Sequence, residues 1–226
     1  MWDLVALGDS TPTGYGAGSD NAYTFQYAAL LERDLNIDVT VHDYSLNSNQ
    51  TVASWTDLVQ ESEALRGDLS QAEVVTIWLG WHDVISLVMS LSDWSDAAHE
   101  RIAAASERMP ADFDDLLAAI AGIVPADALV LIADVGIPPA IVEKWSGEPH
   151  WPEMKQAMYD IWREGIIEAG ETHSATVIHT HHAINGPNGD SVIHPEHMQP
   201  DGLHFNLDGH TFLAELHRAE DGLTDS

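Results

Sequence analysis

Five short runs rich in Val, Ile and Leu recur along the chain, each bounded by polar or glycine residues: Asp3–Leu7, Asp38–Asp43, Val74–Leu79, Ala128–Ala133 and Ala175–His179. Short runs of this kind between polar or glycine boundaries read as buried strands of a parallel sheet. The segments between them carry apolar residues at helical spacing, over Ala22–Leu35, Val52–Leu65, a long stretch from Asp83 to Val124, and Trp151–Gly170. A final helix is expected from about Leu207 to Arg218, with Asn206 as its N-cap. Strands alternating with helices predict an α/β fold whose parallel sheet is covered on both faces. Ligands bind such sheets beyond the carboxyl ends of the strands. The polar residues that follow the strands are therefore the first place to look for chemistry.

With 226 residues, 45% of them hydrophobic, the chain suits one domain over 1–226. No Pro/Gly/Ser-rich linker, internal repeat or low-complexity segment divides it. Cysteine is absent, so no disulfide, thiolate metal site or cysteine nucleophile exists. No apolar run reaches the length of a membrane span. The N-terminus enters a strand-like run at once, without a basic region or a cleavable apolar segment, and a cytoplasmic location is expected. There are 37 Asp+Glu against 8 Lys+Arg, a net charge of −29. That surface repels phosphate backbones and argues against a nucleic-acid partner. So many carboxylates with only two lysines suggest adaptation to high salt, where screening relieves the self-repulsion.

Gly8-Asp9-Ser10 follows the first strand, and near the other end of the chain stands Asp201-Gly202-Leu203-His204. A serine hydroxyl is a weak nucleophile until a positioned base takes its proton. With Asp and His three positions apart, one turn can place both side chains together. The carboxylate then fixes the imidazole tautomer and leaves the other ring nitrogen for Ser10. The strand order brings both segments to the same edge of the sheet. Ser48-Asn49 follows the second strand, Gly80-Trp81-His82-Asp83 the third, and Asp134 with Pro138-Pro139 the fourth.

In this ordered set the chain resembles the GDSL or SGNH hydrolases. Gly8-Asp9-Ser10, with Gly14-Tyr15-Gly16 behind it, looks like the family's first block. Ser48-Asn49-Gln50-Thr51 resembles its Ser-Gly-x-Thr block, and Gly80-Trp81-His82-Asp83 its Gly-x-Asn-Asp block. Asp201-Gly202-Leu203-His204, followed by Asn206 and Gly209-His210, resembles its Asp-x-x-His block. The resemblance implies a three-layer α/β/α flavodoxin-like fold with a five-stranded parallel sheet. It also implies hydrolysis of esters or thioesters through an acyl-serine intermediate, without a cofactor, on a small-molecule ester substrate. The implied oxyanion hole combines the backbone N–H of Ser10, the backbone N–H of the second-block glycine, and the third-block asparagine side chain. This chain departs from that pattern twice. Asn49 stands where the glycine is expected, and an alignment shifted by one puts Ser48 there instead. His82 replaces the asparagine, and a neutral imidazole still has one N–H to donate. Asp9, Ser48 and Trp81 are further pocket candidates. An acyltransferase or thioesterase, or a binding module that no longer catalyses, would use the same residues.

Two other signals stand apart from the triad. His179, His181, His182, His194 and His197 precede it, and His194-Pro195-Glu196-His197 has a metal-like spacing. No His-Glu-x-x-His helix is present, so no catalytic metal is expected and a metal bound there reads as adventitious. Trp81, Trp94, Trp145 and Trp151 invite a stacking role, whereas Trp162 fits a buried helix face. The segments Val84–Pro110 and Ile137–Pro152 are placed to overhang the crevice. The Gly-x-Ser-x-Gly elbow and any phosphate-cradling glycine loop with lysine are missing, which disfavours nucleotide chemistry.

Overall fold

Five strands form one all-parallel sheet in the order β2-β1-β3-β4-β5 in the computed structural model of the chain, which describes residues 1–46, 50–91, 95–186, 191 and 194–223 (the backbone alone at 85, 86, 157 and 158). They are β1 (Trp2–Gly8), β2 (Val39–Asp43), β3 (Val74–Trp78), β4 (Leu129–Ala133) and β5 (Thr176–Ile178), each within one residue of its expected bounds. β1 is central, pairing Leu4 with Val41 of β2 on one side and with Val74 of β3 on the other. Every residue of β3 is buried, as is β1 from Leu4 onward. That double-sided burial is why these runs are apolar without alternation.

The helices are α1 (Tyr23–Leu35), α2 (Val52–Glu61), α3 (Glu63–Leu69), α4 (Trp81–Met89), α5 (Asp96–Ser106), α6 (Met109–Ala121), α7 (Pro139–Trp145), α8 (Trp151–Lys155), α9 (Ile161–Thr172), α10 (Thr180–Asn185) and α11 (Leu207–Glu220). A π-helical turn over Gln156–Asp160 joins α8 to α9. α1 packs on α11, while α6 packs on both α2 and α9. The two groups make the outer layers of an α/β/α sandwich. No helix among the described residues is long and apolar enough to cross a membrane.

Two of the expected helices are divided. The segment 52–65 breaks at Ser62, whose hydroxyl accepts from the N–H of Leu65 at 3.3 Å and caps α3. The stretch from Asp83 to Val124 is three helices. Ser95 caps α5 by accepting from Ala98 at 3.3 Å, and Pro110 occupies the first turn of α6, where its missing N–H costs nothing. These are ordinary start signals that a continuous apolar period masks. Asn206 does cap α11, accepting from Gly209 at 3.0 Å. α7 and α10 follow β4 and β5 where loops are expected.

Candidate active site

Strand order reverses between β1 and β3, so the crevice of this sheet opens beyond Gly8 and Trp78. Gly8 is needed there for space rather than for an unusual dihedral. A Cβ on it would collide with the Pro12 ring and lie 2.7 Å from the Trp78 carbonyl. The Ser10 turn is fixed by its own hydrogen bonds. Asp9 accepts from Thr11 N–H at 3.1 Å, and the Ser10 carbonyl accepts from Thr13 Oγ1 at 2.7 Å and Tyr15 N–H at 3.2 Å. Asp9 is buried, and that burial pushes its carboxyl up to about 7.

The loop that carries Asp201 and His204 is a small antiparallel structure closed by a bridge between Met198 and Phe205. Asp201 Oδ1 accepts the backbone N–H of Leu203 at 2.9 Å and of His204 at 3.0 Å, while Oδ2 lies 2.7 Å from His204 Nδ1. Burial opposes ionisation of Asp201, but the His204 ring and the two N–H donors outweigh it and hold the carboxyl below its usual range. An ionised Asp201 makes Nδ1 of His204 the protonated nitrogen and leaves Nε2 as an acceptor. His204 and Ser10 both line one cleft. Its walls are largely apolar, with Trp78, Trp81, Ile137, Pro138, Ile184 and Phe205 among them, the usual character of a small-molecule site.

The profile of the GDSL-like lipase/acylhydrolase family matches residues 6–212. The chain belongs to the GDSL-like lipase/acylhydrolase family. That membership supports ester hydrolysis in general. The fold is similar to a lipase from a goat rumen metagenome (TM-score 0.77, 19% identity, covering 98% of each chain). It is similar also to an extracellular lipase from Streptomyces rimosus (TM-score 0.66, 19% identity, 97% of this chain and 100% of that one). A lipase/acylhydrolase from Enterococcus faecalis aligns at TM-score 0.64 and 19% identity, over 100% of this chain and 99% of that one. No curated protein matches in sequence.

In this GDSL-like frame the first and last blocks meet at the cleft: Asp9, Ser10 and His204 line it, and Asp201 holds His204 from behind. The third block starts α4. Gly80 has φ 106°, and a Cβ on it would collide with the Trp162 indole, so the turn into α4 depends on glycine and on the buried Trp162 beneath. Trp81 faces the cleft. His82 follows it in the first turn of α4, half-buried, and that burial lowers its pKa. Asp83 sits in the first turn of α4. It accepts from Val52 N–H at 3.2 Å, tying the third block to the start of α2. The second-block candidates Ser48 and Asn49 lie outside the described residues, as does Trp94.

Trp145 and Trp151 are buried and join Trp162 in the core, so neither offers an exposed stacking face. Of the two segments expected to overhang the crevice, 137–152 contributes Ile137, Pro138 and Pro139 to its wall. The described part of 84–110 contributes none and is largely helical. Several supporting residues carry no motif. Asn185 is fully buried, accepts from Ile137 N–H at 2.6 Å and donates to the Ile137 carbonyl at 2.8 Å, so it holds the cleft wall in place. Asp134 accepts from His181 N–H at 2.9 Å and so starts α10. Gln199 donates through Nε2 to the carbonyls of Tyr15 at 3.2 Å and Phe205 at 3.0 Å. The position directly after β4 was the available signal for Asp134, whereas nothing local marked Asn185. Nothing local marked Gln199, because its partners lie in another segment.

Proposed function

We propose that the chain hydrolyses carboxylic esters through an acyl-serine intermediate. Ser10 Oγ attacks the ester carbonyl carbon while His204 Nε2 takes its proton. The tetrahedral intermediate collapses, and the imidazolium returns that proton to the departing alcohol. A water molecule then repeats the sequence on the acyl-serine, releasing the acid and restoring Ser10. Asp201 keeps His204 in the Nδ1–H tautomer and offsets the imidazolium charge. The developing oxyanion takes hydrogen bonds from Ser10 N–H, from the Asn49 N–H (Ser48 if the block is shifted by one) and from the His82 side chain. The His82 role rests on its position in the third block, where burial lowers its pKa; the residues that line the cleft include Trp81 but not His82.

The observation that carries this reading is the 2.7 Å contact between Asp201 Oδ2 and His204 Nδ1 in a loop that walls the same cleft as Ser10. The apolar walls favour an aliphatic or aromatic acyl group over a charged one. The acidic surface is read as adaptation to high ionic strength. A panel of nitrophenyl esters of increasing acyl length, run on the native chain and on Ser10→Ala and His204→Ala, tests the assignment. Each variant should stay folded and lose on the order of 10³-fold or more in kcat/KM. Near-native turnover by a folded Ser10→Ala variant would remove Ser10 from the mechanism.

A further inference from the structure

We infer that His194, Glu196 and His197 form a site for a divalent transition metal of the zinc, nickel or copper type, which braces the root of the loop carrying Asp201 and His204. One donor atom from each residue lies within 4.8 Å of the others. His194 Nδ1 and Glu196 Oε1 are 3.2 Å apart. Two ligands at about 2.0–2.1 Å from a tetrahedral ion stand roughly 3.3 Å from each other, so this pair already has a coordinating separation. Closing the set requires the His197 ring to turn out of its stack with His194 towards the pair.

The scaffold holds all three residues in a short arc. Pro195–His197 is a 3-10 turn, with the His197 N–H donating to the His194 carbonyl at 3.1 Å. Asn206 secures the arc to the start of α11. Its Nδ2 donates to the carbonyls of Glu196 at 2.6 Å and Met198 at 3.1 Å, and its N–H donates to the His197 carbonyl at 2.9 Å. The two imidazoles stack with centroids 4.8 Å apart and planes 18° from parallel, and both lie on Phe212 at 5.4 and 4.9 Å. Nδ1 of His197 is buried and has no hydrogen-bond partner among the described residues. The approach is open, since the His194 and Glu196 side chains are 40% and 64% exposed.

Donor chemistry selects the ion. Two imidazole nitrogens with one carboxylate suit zinc, nickel or copper, whereas magnesium and calcium require mostly oxygen ligands. Water would fill the remaining positions. The site has no nucleophile of its own and its consequence is mechanical. His197 is followed directly by Met198, which bridges to Phe205, and by Gln199, whose N–H donates to the His204 carbonyl at 2.8 Å. An ion that pins His194 to His197 fixes one end of that loop. The proposal is independent of ester hydrolysis and is read without a substrate.

Calorimetric titration of the metal-stripped, tag-free full chain with zinc chloride decides it, alongside melting curves with zinc, magnesium and calcium. One zinc per chain should bind in the micromolar range, and about a hundredfold excess over Kd should raise Tm by about 5 °C or more. Magnesium and calcium should do neither. The His194→Ala/His197→Ala variant should lose at least tenfold in affinity. Glu196→Gln, which keeps the size and polarity of the side chain, should weaken binding, and His150→Ala, remote in sequence, should not. Weak binding at several sites that survives the double substitution would mean an adventitious ion only and would overturn the assignment. So would a zinc effect that magnesium or calcium reproduces. Circular dichroism of each variant separates loss of the site from loss of the fold.

Discussion

The ring of Tyr15 lies against the imidazole of His204, with centroids 4.3 Å apart and planes tilted by 43°. Tyr15 comes from the turn behind Ser10 and His204 from the loop that also carries Asp201, so the contact joins the two halves of the proposed triad. Gln199 reinforces it by donating to the Tyr15 and Phe205 carbonyls at once. An aromatic pair of this kind contributes about 0.5–1.5 kcal/mol. Tyr15→Ala should therefore lower kcat by roughly three- to tenfold, through looser placement of the base. Tyr15→Phe keeps the ring and should retain native turnover. Equal loss in both variants would point to the hydroxyl instead of the stack.

His82 is the departure that most distinguishes this chain from its family pattern. Removal of an oxyanion donor typically costs ~10²–10³ in turnover with little change in ground-state binding. His82→Ala should lower kcat strongly and KM weakly. His82→Asn restores a side-chain N–H and should retain or raise activity. Kinetics of both variants on one ester check this, and matching mild effects would make His82 a structural neighbour of Trp81 with no share in the chemistry.

Asp9 gives the protein a pH-dependent stability with a definite sign. Burial raises its carboxyl from 3.8 to about 7. Between those values the folded chain keeps a proton that the unfolded chain has lost. Stability from this group therefore falls as pH rises, by about 1.4 kcal/mol per pH unit, and the loss is complete above pH 7. Asp9→Asn keeps an oxygen to accept from Thr11 and removes the charge. Denaturant unfolding of both proteins should show the variant gaining about 2 kcal/mol on the native chain from pH 5 to pH 7. Parallel stability curves would contradict a buried, high-pKa Asp9.

The architecture was legible because its cause is local. A strand buried on both faces must be apolar along its whole length, as β1 and β3 largely are, and the observed bounds of all five strands fall within one residue of the expected runs. The Asp201–His204 pair was legible for a similar reason, since three positions in one turn suffice to join them. Other features depend on partners distant in sequence. Asp83 stands at the start of an expected helix, but nothing local shows that its carboxylate accepts from Val52 N–H. Gly8 looks like a turn residue, whereas Pro12 and the Trp78 carbonyl set its size. Asn185 and Gln199 are unremarkable polar residues in the sequence, and only folding brings Ile137, Tyr15 and Phe205 to them.

A net charge of −29 should make stability depend on ionic strength. The screening length falls from about 30 Å at 0.01 M salt to about 3 Å at 1 M. If the acidic surface reflects adaptation to salt, Tm should rise clearly between dilute buffer and molar potassium chloride. A flat response would leave the carboxylates as plain surface composition.

The central claim is that Ser10 is a nucleophile activated by His204. Incubation with a fluorophosphonate, followed by intact mass measurement and peptide mapping, tests it without knowledge of the natural substrate. One adduct per chain should form on Ser10, ester hydrolysis should be lost in step with labelling, and His204→Ala should label far more slowly. Labelling at another residue, or no labelling of a folded chain that still hydrolyses esters, would contradict the account.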